Sequence, residues 1–234
     1  FARYVPYLKQ RGCTTIMHCP TALHRLFLNH LHGVDEVFDK DNEEVPAHDF
    51  HVLSLSLPFL LQIEKAAIPY IHVSEKTDLS EFNGCFKVGI AWEGNPEHTN
   101  NTQRSCPLNY FRELHDIPNV KLFMLQKDIH QQELLRGAED LEIYGTEIND
   151  FLDTAKLISA MDAIATVDTS VLHLAGAMNK TAHCLLSKPE DPRWTVAQWY
   201  NSVKFCRQTT EGVWDDAFSA LTTYIMFAMH KGGF

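Results

Sequence analysis

Three stretches of the chain put anion-binding groups where apolar runs give way to polar or helical ones. In VDTSVLHLAGAMNK (167–180) the apolar run Ala163–Val167 leads into Asp168, Thr169 and Ser170, and then into a helical pattern. Short hydroxyls and backbone N–H groups at a helix start suit a pyrophosphate, because the first N–H groups lack helical partners and the dipole there favours negative charge. Plain helix capping explains Asp168 and Thr169 equally well. His173 follows Thr169 by four residues and shares its helix face, so it either meets a ligand or packs. The second stretch, AWEGNPEHTNNTQRS (91–105), is a long polar loop rich in Gly, Asn and Pro, and ordering such a loop is costly unless it binds something. Arg104 is its only Lys or Arg and suits a phosphate or carboxylate through a bidentate fork. In the third, LQKD (125–128), Lys127 stands just after an apolar run, where it can neutralise a phosphate as a point charge. A solvated surface position is the alternative for both cations.

These loops need strands and helices to aim them. Residues 2–11 carry a helical stripe ended by Gly12; Cys13–His18 reads as a strand, residues 21–31 as a second helix ended by Gly33, and Val34–Phe38 as a short strand. His51–Leu57 alternates and reads as another strand, stopped by Pro58. The polar, aperiodic SEKTDLSEFNG (74–84) marks a linker. A second βα series follows: strands over Phe86–Trp92, Lys121–Leu125, Leu141–Tyr144, Ala163–Val167 and Thr181–Leu186, and helices over Leu108–Leu114, Ile129–Leu135, Phe151–Met161 and Thr169–Met178. Alternation of this kind specifies an α/β fold of two Rossmann-like units with parallel sheets. The expected boundaries are an N-terminal unit over 1–78, a C-terminal unit over 79–210, and a helix over 211–234 that packs at the seam between them.

Composition narrows the chemistry. A 45% hydrophobic chain can close a real core, so disorder is not the default. A net charge of -10 without a local basic run disfavours nucleic acid as a partner. The six cysteines form no CxxC pair and read as reduced, mostly packed thiols of a cytoplasmic protein. Cys13, His18, Cys19, His24, His30 and His32 crowd together but match no zinc spacing, and no paired carboxylates stand at a strand exit, so neither metal nor cofactor is expected. LSLSLPFLLQI and YIMFAM are too short to span a bilayer.

The runs KVGIAWEGNPEHTNNTQRSCPLNYF, LFMLQKD, FLDTAKLISAMDAIATVDTSVLHLAGAMNK and DPRWTVAQWYNSVKFCRQ, in that order and spacing, resemble the heptosyltransferase-like family 9 glycosyltransferase domain often found behind tetratricopeptide repeats in bacteria. The resemblance extends through FARYVPYLKQRG and HVLSLSLP and so covers nearly the whole chain. It implies a GT-B fold that moves a sugar from a nucleotide-diphosphate-sugar donor to a glycan, lipid-linked or protein acceptor, with inversion and without a metal. It further implies a donor site of Gly94, Asn95, Arg104, Gln126, Lys127, Asp168, Thr169, Ser170 and His173. Arg193, Trp194, Trp199 and Tyr200 resemble the family's aromatic segment, with hydrophobic packing as the other reading. Members of the family carry a first strand and an acidic loop ahead of FARYVPYLKQRG that often supplies the base. That strand is expected to be missing here, with Arg3 at its trailing edge, so the catalytic base is unknown and donor binding without turnover is conceivable. The competing functions are a non-catalytic sugar-nucleotide-binding domain and, through His98 and His173, a sugar-nucleotide epimerase or hydrolase.

Overall fold

The structure, a computed structural model, describes residues 1–127, 141–143, 147–196 and 199–234. A short 3-10 turn at Ala2–Tyr4 runs into α1 (Val5–Gln10), whose Pro6 occupies the first turn, where a missing N–H breaks no helical bond. Gly12, at φ +82°, closes it as expected. β1 (Ile16–Cys19) pairs in parallel with β2 (Glu36–Asp39), and the connecting α2 (Thr21–His30) buries Leu26. Here the helices lie where the sequence puts them and the strands slightly later.

The strand expected over His51–Leu57 does not form. Ser54–Ser56 is a 3-10 turn and Leu57–Leu61 is α3, with Pro58 in its first turn rather than stopping a strand. The physical reason is the want of a partner surface: Leu53 and Leu55 are 74% and 68% exposed, so the alternating face has nothing to pack on, and a proline with its preset φ starts a helix instead.

From residue 86 onward the chain builds a second, all-parallel sheet. Its strands are β3 (Phe86–Ala91), β4 (Val120–Met124), β5 (Glu142–Ile143), β6 (Ala163–Val167), β7 (Ala182–Leu186) and β8 (Val203–Arg207), in the spatial order β5-β4-β3-β6-β7-β8. Counted from β3 this is the doubly wound 3-2-1-4-5-6 arrangement, which reverses direction between β3 and β6. The sequence signalled every one of these strands except β8, where Lys204 and Arg207 point outward at the sheet edge and break the apolar run. The helix expected over Ile129–Leu135 and the strand end at Tyr144 fall outside the described residues.

Alternate residues of the strands feed two cores. On one face Leu122, Met124, Ala163, Ala165 and Val167 pack with Phe111 and Leu114 of α5 (Leu108–His115), a helix preceded by the short α4 (Asn101–Arg104). On the other, Phe123, Leu125, Ile164 and Cys184 pack with α6 (Phe151–Ala160) and α7 (Ser170–Ala177). Past α8 (Pro192–Val196), the last helix, α9 (Asp215–Gly232), buries Phe218, Leu221 and Ile225 in the first of these cores. That position corrects the expectation of a seam helix. The N-terminal half adjoins the opposite face of the sheet, and α9 covers β6, β7 and β8 because its apolar stripe completes the core that α5 leaves open there.

The polar segment expected as a linker and the residues just ahead of it are tied to the larger half. Tyr70 N donates to the Ala177 carbonyl (3.1 Å), Ser159 Oγ to the Val73 carbonyl (3.3 Å) and Thr77 N to the Lys156 carbonyl (3.3 Å). Val5, Leu26, Leu31, Tyr70 and Ile71 share one buried cluster with Ile158, Leu174 and Trp194, so a single core runs across residue 78. Arg25 of α2 adds an ion pair to Asp150 at 3.0 Å.

Candidate functional site

In a doubly wound sheet, loops leaving the strands on either side of the order reversal splay apart and leave a crevice at their carboxyl ends. A cleft of about 390 Å³ occupies that position. The exit loop of β3 gives it Gly94, Asn95 and Arg104; the exit of β4 gives Gln126 and Lys127; the exit of β6 gives Thr169 and Ser170. Seven of the nine expected donor-site residues therefore line one cavity, although three separate loops carry them.

Close contacts hold these loops together. Gly94 N donates to Asn101 Oδ1 (3.1 Å), and a Cβ at Gly94 would lie 2.9 Å from Arg104 Nη2, so a side chain there would displace the guanidinium. Glu93 N donates to Gln126 Oε1 at 3.3 Å, joining the β3 and β4 exits. Arg104 Nη2 donates to the Asp168 carbonyl, which carries the β3 loop across the reversal to the β6 turn, while its buried Nε has no partner among the described residues. Lys127 Nζ rests on the Asn149 carbonyl at 3.1 Å.

At the β6 turn, Thr169 caps α7: its Oγ1 accepts from Val171 N (3.2 Å) and lies 3.2 Å from Thr166 Oγ1. The capping reading thus accounts for the Thr169 hydroxyl, and Ser170, exposed at the first helical position, faces the cleft beside the helix N-terminus. Asp168 turns away from the cleft. Its carboxylate pairs with Arg193 at 2.9 Å, so it anchors the turn and α8 rather than meeting the cavity.

No protein-family model matches the chain, and no curated protein matches it significantly. Solved structures do. The ADP-heptose LPS heptosyltransferase II of E. coli aligns over all of this chain and 95% of its own, at 9% identity and a TM-score of 0.60. A family 9 glycosyltransferase from Veillonella parvula aligns over 97% of this chain and 76% of its own, at 11% identity and a TM-score of 0.50. The fold is heptosyltransferase-like.

Within this heptosyltransferase-like fold His173 belongs to a different chamber. A second cavity of about 380 Å³ lies between the N-terminal half and α7, lined by His173, His18 and Tyr70 among mostly apolar side chains. Phe151 and Ser170 line both cavities. Burial pushes the His173 imidazole down to about pKa 4, against the pull of Asp168 and with the help of Arg193 and Arg3, so the ring is neutral at physiological pH. It stacks on Trp194 (centroids 5.1 Å apart, 24° between planes), and its Nδ1 lies 3.0 Å from the Tyr200 hydroxyl. The packing reading of the aromatic segment holds for Trp194 and Tyr200, which are 4% and 2% exposed. Gly176 serves a neighbour the sequence did not suggest: a Cβ there would fall 2.4 Å from the Tyr200 ring. His98 sits on the exposed β3 loop and lines neither cavity.

Sequence reasoning missed Asn149, Asp150 and Thr154 along the cleft. The signal was present in Asp150 followed by Asp153 ahead of an apolar run, an N-terminal capping pattern; Asp150 accepts from Leu152 N and Asp153 N. Ala22 of α2 is the contribution of the N-terminal half to this cavity.

Proposed function

We propose that the chain is a nucleotide-sugar-dependent glycosyltransferase of the GT-B type. The observation that carries this reading is the convergence of Gly94, Asn95, Arg104, Gln126, Lys127, Thr169 and Ser170 on one cavity at the order reversal of the large sheet. A diphosphate there would accept hydrogen bonds from the N-terminal amides of α7 and from the free edge of Arg104, with Lys127 as a nearby point charge. These fixed charges stabilise a leaving nucleoside diphosphate as its bond to the sugar breaks, which is the work a divalent cation does elsewhere. The sugar would then point past Ser170 toward the chamber of His173, where an acceptor hydroxyl attacks the opposite face of the anomeric carbon and inverts it, giving its proton to a general base as the nucleoside diphosphate leaves. The likeness in fold to a protein named for ADP-heptose supports a nucleotide-sugar donor.

Calorimetric titration with ADP, GDP, UDP, CDP and dTDP, each with and without EDTA, tests the reading. At least one should bind and keep its affinity under chelation. Arg104→Ala should weaken that binding roughly 10- to 100-fold, as loss of a charge-assisted hydrogen bond does. Absence of binding to every diphosphate, or binding that survives Arg104→Ala intact, would rule the reading out.

A further inference from the structure

Arg3, Tyr200 and His173 form a chain of contacts that neither capping nor packing requires. Arg3 is 6% exposed, and its guanidinium is shared between the Trp199 carbonyl (Nη1, 3.4 Å) and the Tyr200 hydroxyl (Nη2, 3.1 Å), lying over the rings of both residues at 4.8 and 4.9 Å. On its other side the same hydroxyl lies 3.0 Å from His173 Nδ1. We propose that Arg3 and Tyr200 fix His173 as the tautomer protonated at Nε2, so that the ring presents a permanent N–H donor to the chamber between the halves, for an oxygen of the transferred sugar or of the acceptor. The ligand part of this proposal rests on the donor reading above; the tautomer does not.

The argument is one of hydrogen-bond capacity. A phenol has one proton and accepts at its lone pairs, whereas a guanidinium only donates. Arg3 therefore takes one acceptor site of the Tyr200 oxygen, and the phenolic proton must find an acceptor elsewhere. The His173 Nδ1 lone pair, at 3.0 Å, provides it. A neutral ring with an unprotonated Nδ1 carries its proton on Nε2, and burial keeps the ring neutral by holding its pKa near 4. The ring is closely packed. Trp194 and Trp199 enclose the imidazole with centroids 5.1 and 5.7 Å away, and Tyr200 is seated in the space that Gly176 leaves open. The competing acceptor is the hydroxyl of Tyr70, which shares a side-chain hydrogen bond with Tyr200. A proton given to Tyr70 would reverse the His173 bond and put the imidazole proton on Nδ1.

Arg3 and Tyr200 are positioning residues in this scheme. Long-range ¹H–¹⁵N correlation spectra of the ¹⁵N-histidine-labelled chain, with His173 assigned by its loss in His173→Gln, read the tautomer directly. In the native protein Nδ1 should show the shift of an unprotonated nitrogen and Nε2 that of a protonated one. Tyr200→Phe keeps the ring and the packing, and should collapse this preference to a mixture of tautomers. Arg3→Lys keeps the charge but not the fork, and should do so in part. A native Nδ1–H tautomer, or a tautomer that Tyr200→Phe leaves unchanged, would overturn the proposal. Affinity for the diphosphate panel should stay the same in Tyr200→Phe, since Tyr200 does not line the cleft; failure of the native chain to bind any diphosphate would remove the donor reading while the spectra still decide the tautomer.

Discussion

Every residue of β6 and β7 is buried, whereas β1 and β2 each carry an exposed residue, His18 and Glu36, and have no third strand beside them among the described residues. The large sheet is covered on both faces, by α5 and α9 on one and α6 and α7 on the other. The small sheet leans on the large one: its helix α2 sends Leu26 into the core that α6 and α7 also fill. Two-sided burial makes strands into continuous apolar runs and holds strand-exit loops in fixed relation to one another. The candidate site sits at the order reversal of that sheet, and the smaller half contributes Ala22 to its lining.

The sharpest way to break this comparison is to remove a ring from each half. Phe123 is fully buried and meets Phe82 edge-on at 5.1 Å, while Phe59 is 76% exposed. Phe123→Ala should destabilise the chain by about 4 kcal/mol in urea titration, and Phe59→Ala by less than about 0.5 kcal/mol. Equal losses would mean that the smaller half is as tightly cored as the larger.

Acid sensitivity should also belong to the large sheet. His183 on β7 is 4% exposed, stacks on Tyr224 at 5.4 Å and has no hydrogen-bond partner for either ring nitrogen among the described residues, and burial holds its pKa down to about 4. The unfolded chain takes up that proton near pH 6.5 and the folded one only near pH 4. The stability conferred by the neutral ring is therefore complete above about pH 6.5 and lost as pH falls toward 4. His183→Phe should lose about 3 kcal/mol less than the native protein over that interval, as guanidinium titrations at a series of pH values would show.

A smaller effect is expected where the two halves meet. Gly176→Ala sets a methyl group against the Tyr200 ring and should cost about 2 kcal/mol by overpacking. Unlike Phe123→Ala, it should also disturb the His173 tautomer, because it moves the ring that holds Nδ1.

The legibility of the chain follows the same division. Ala163–Val167 was readable to the residue because a strand buried on both faces has no polar interruption. The His51–Leu57 run failed because alternation signals a strand only where a sheet stands ready to cover one side, and here none does. The separate loops carrying Gly94, Arg104, Lys127 and Ser170 were identifiable from residue type and order. Their meeting in one cavity depends on the reversal between β3 and β6, which is a property of the whole sheet. Asp168 illustrates the limit: an acidic residue at a helix start looks the same in sequence whether it faces a ligand or, as here, pairs with Arg193.

The central claim is that the cleft at the order reversal holds a diphosphate, and a crystal soaked with the nucleoside diphosphate that binds best tests it most directly. The phosphates should appear against the first amides of α7 at Ser170, within hydrogen-bond reach of Arg104 and with Lys127 nearby. Phosphates bound anywhere else, in the His173 chamber or on the smaller half, would contradict the account.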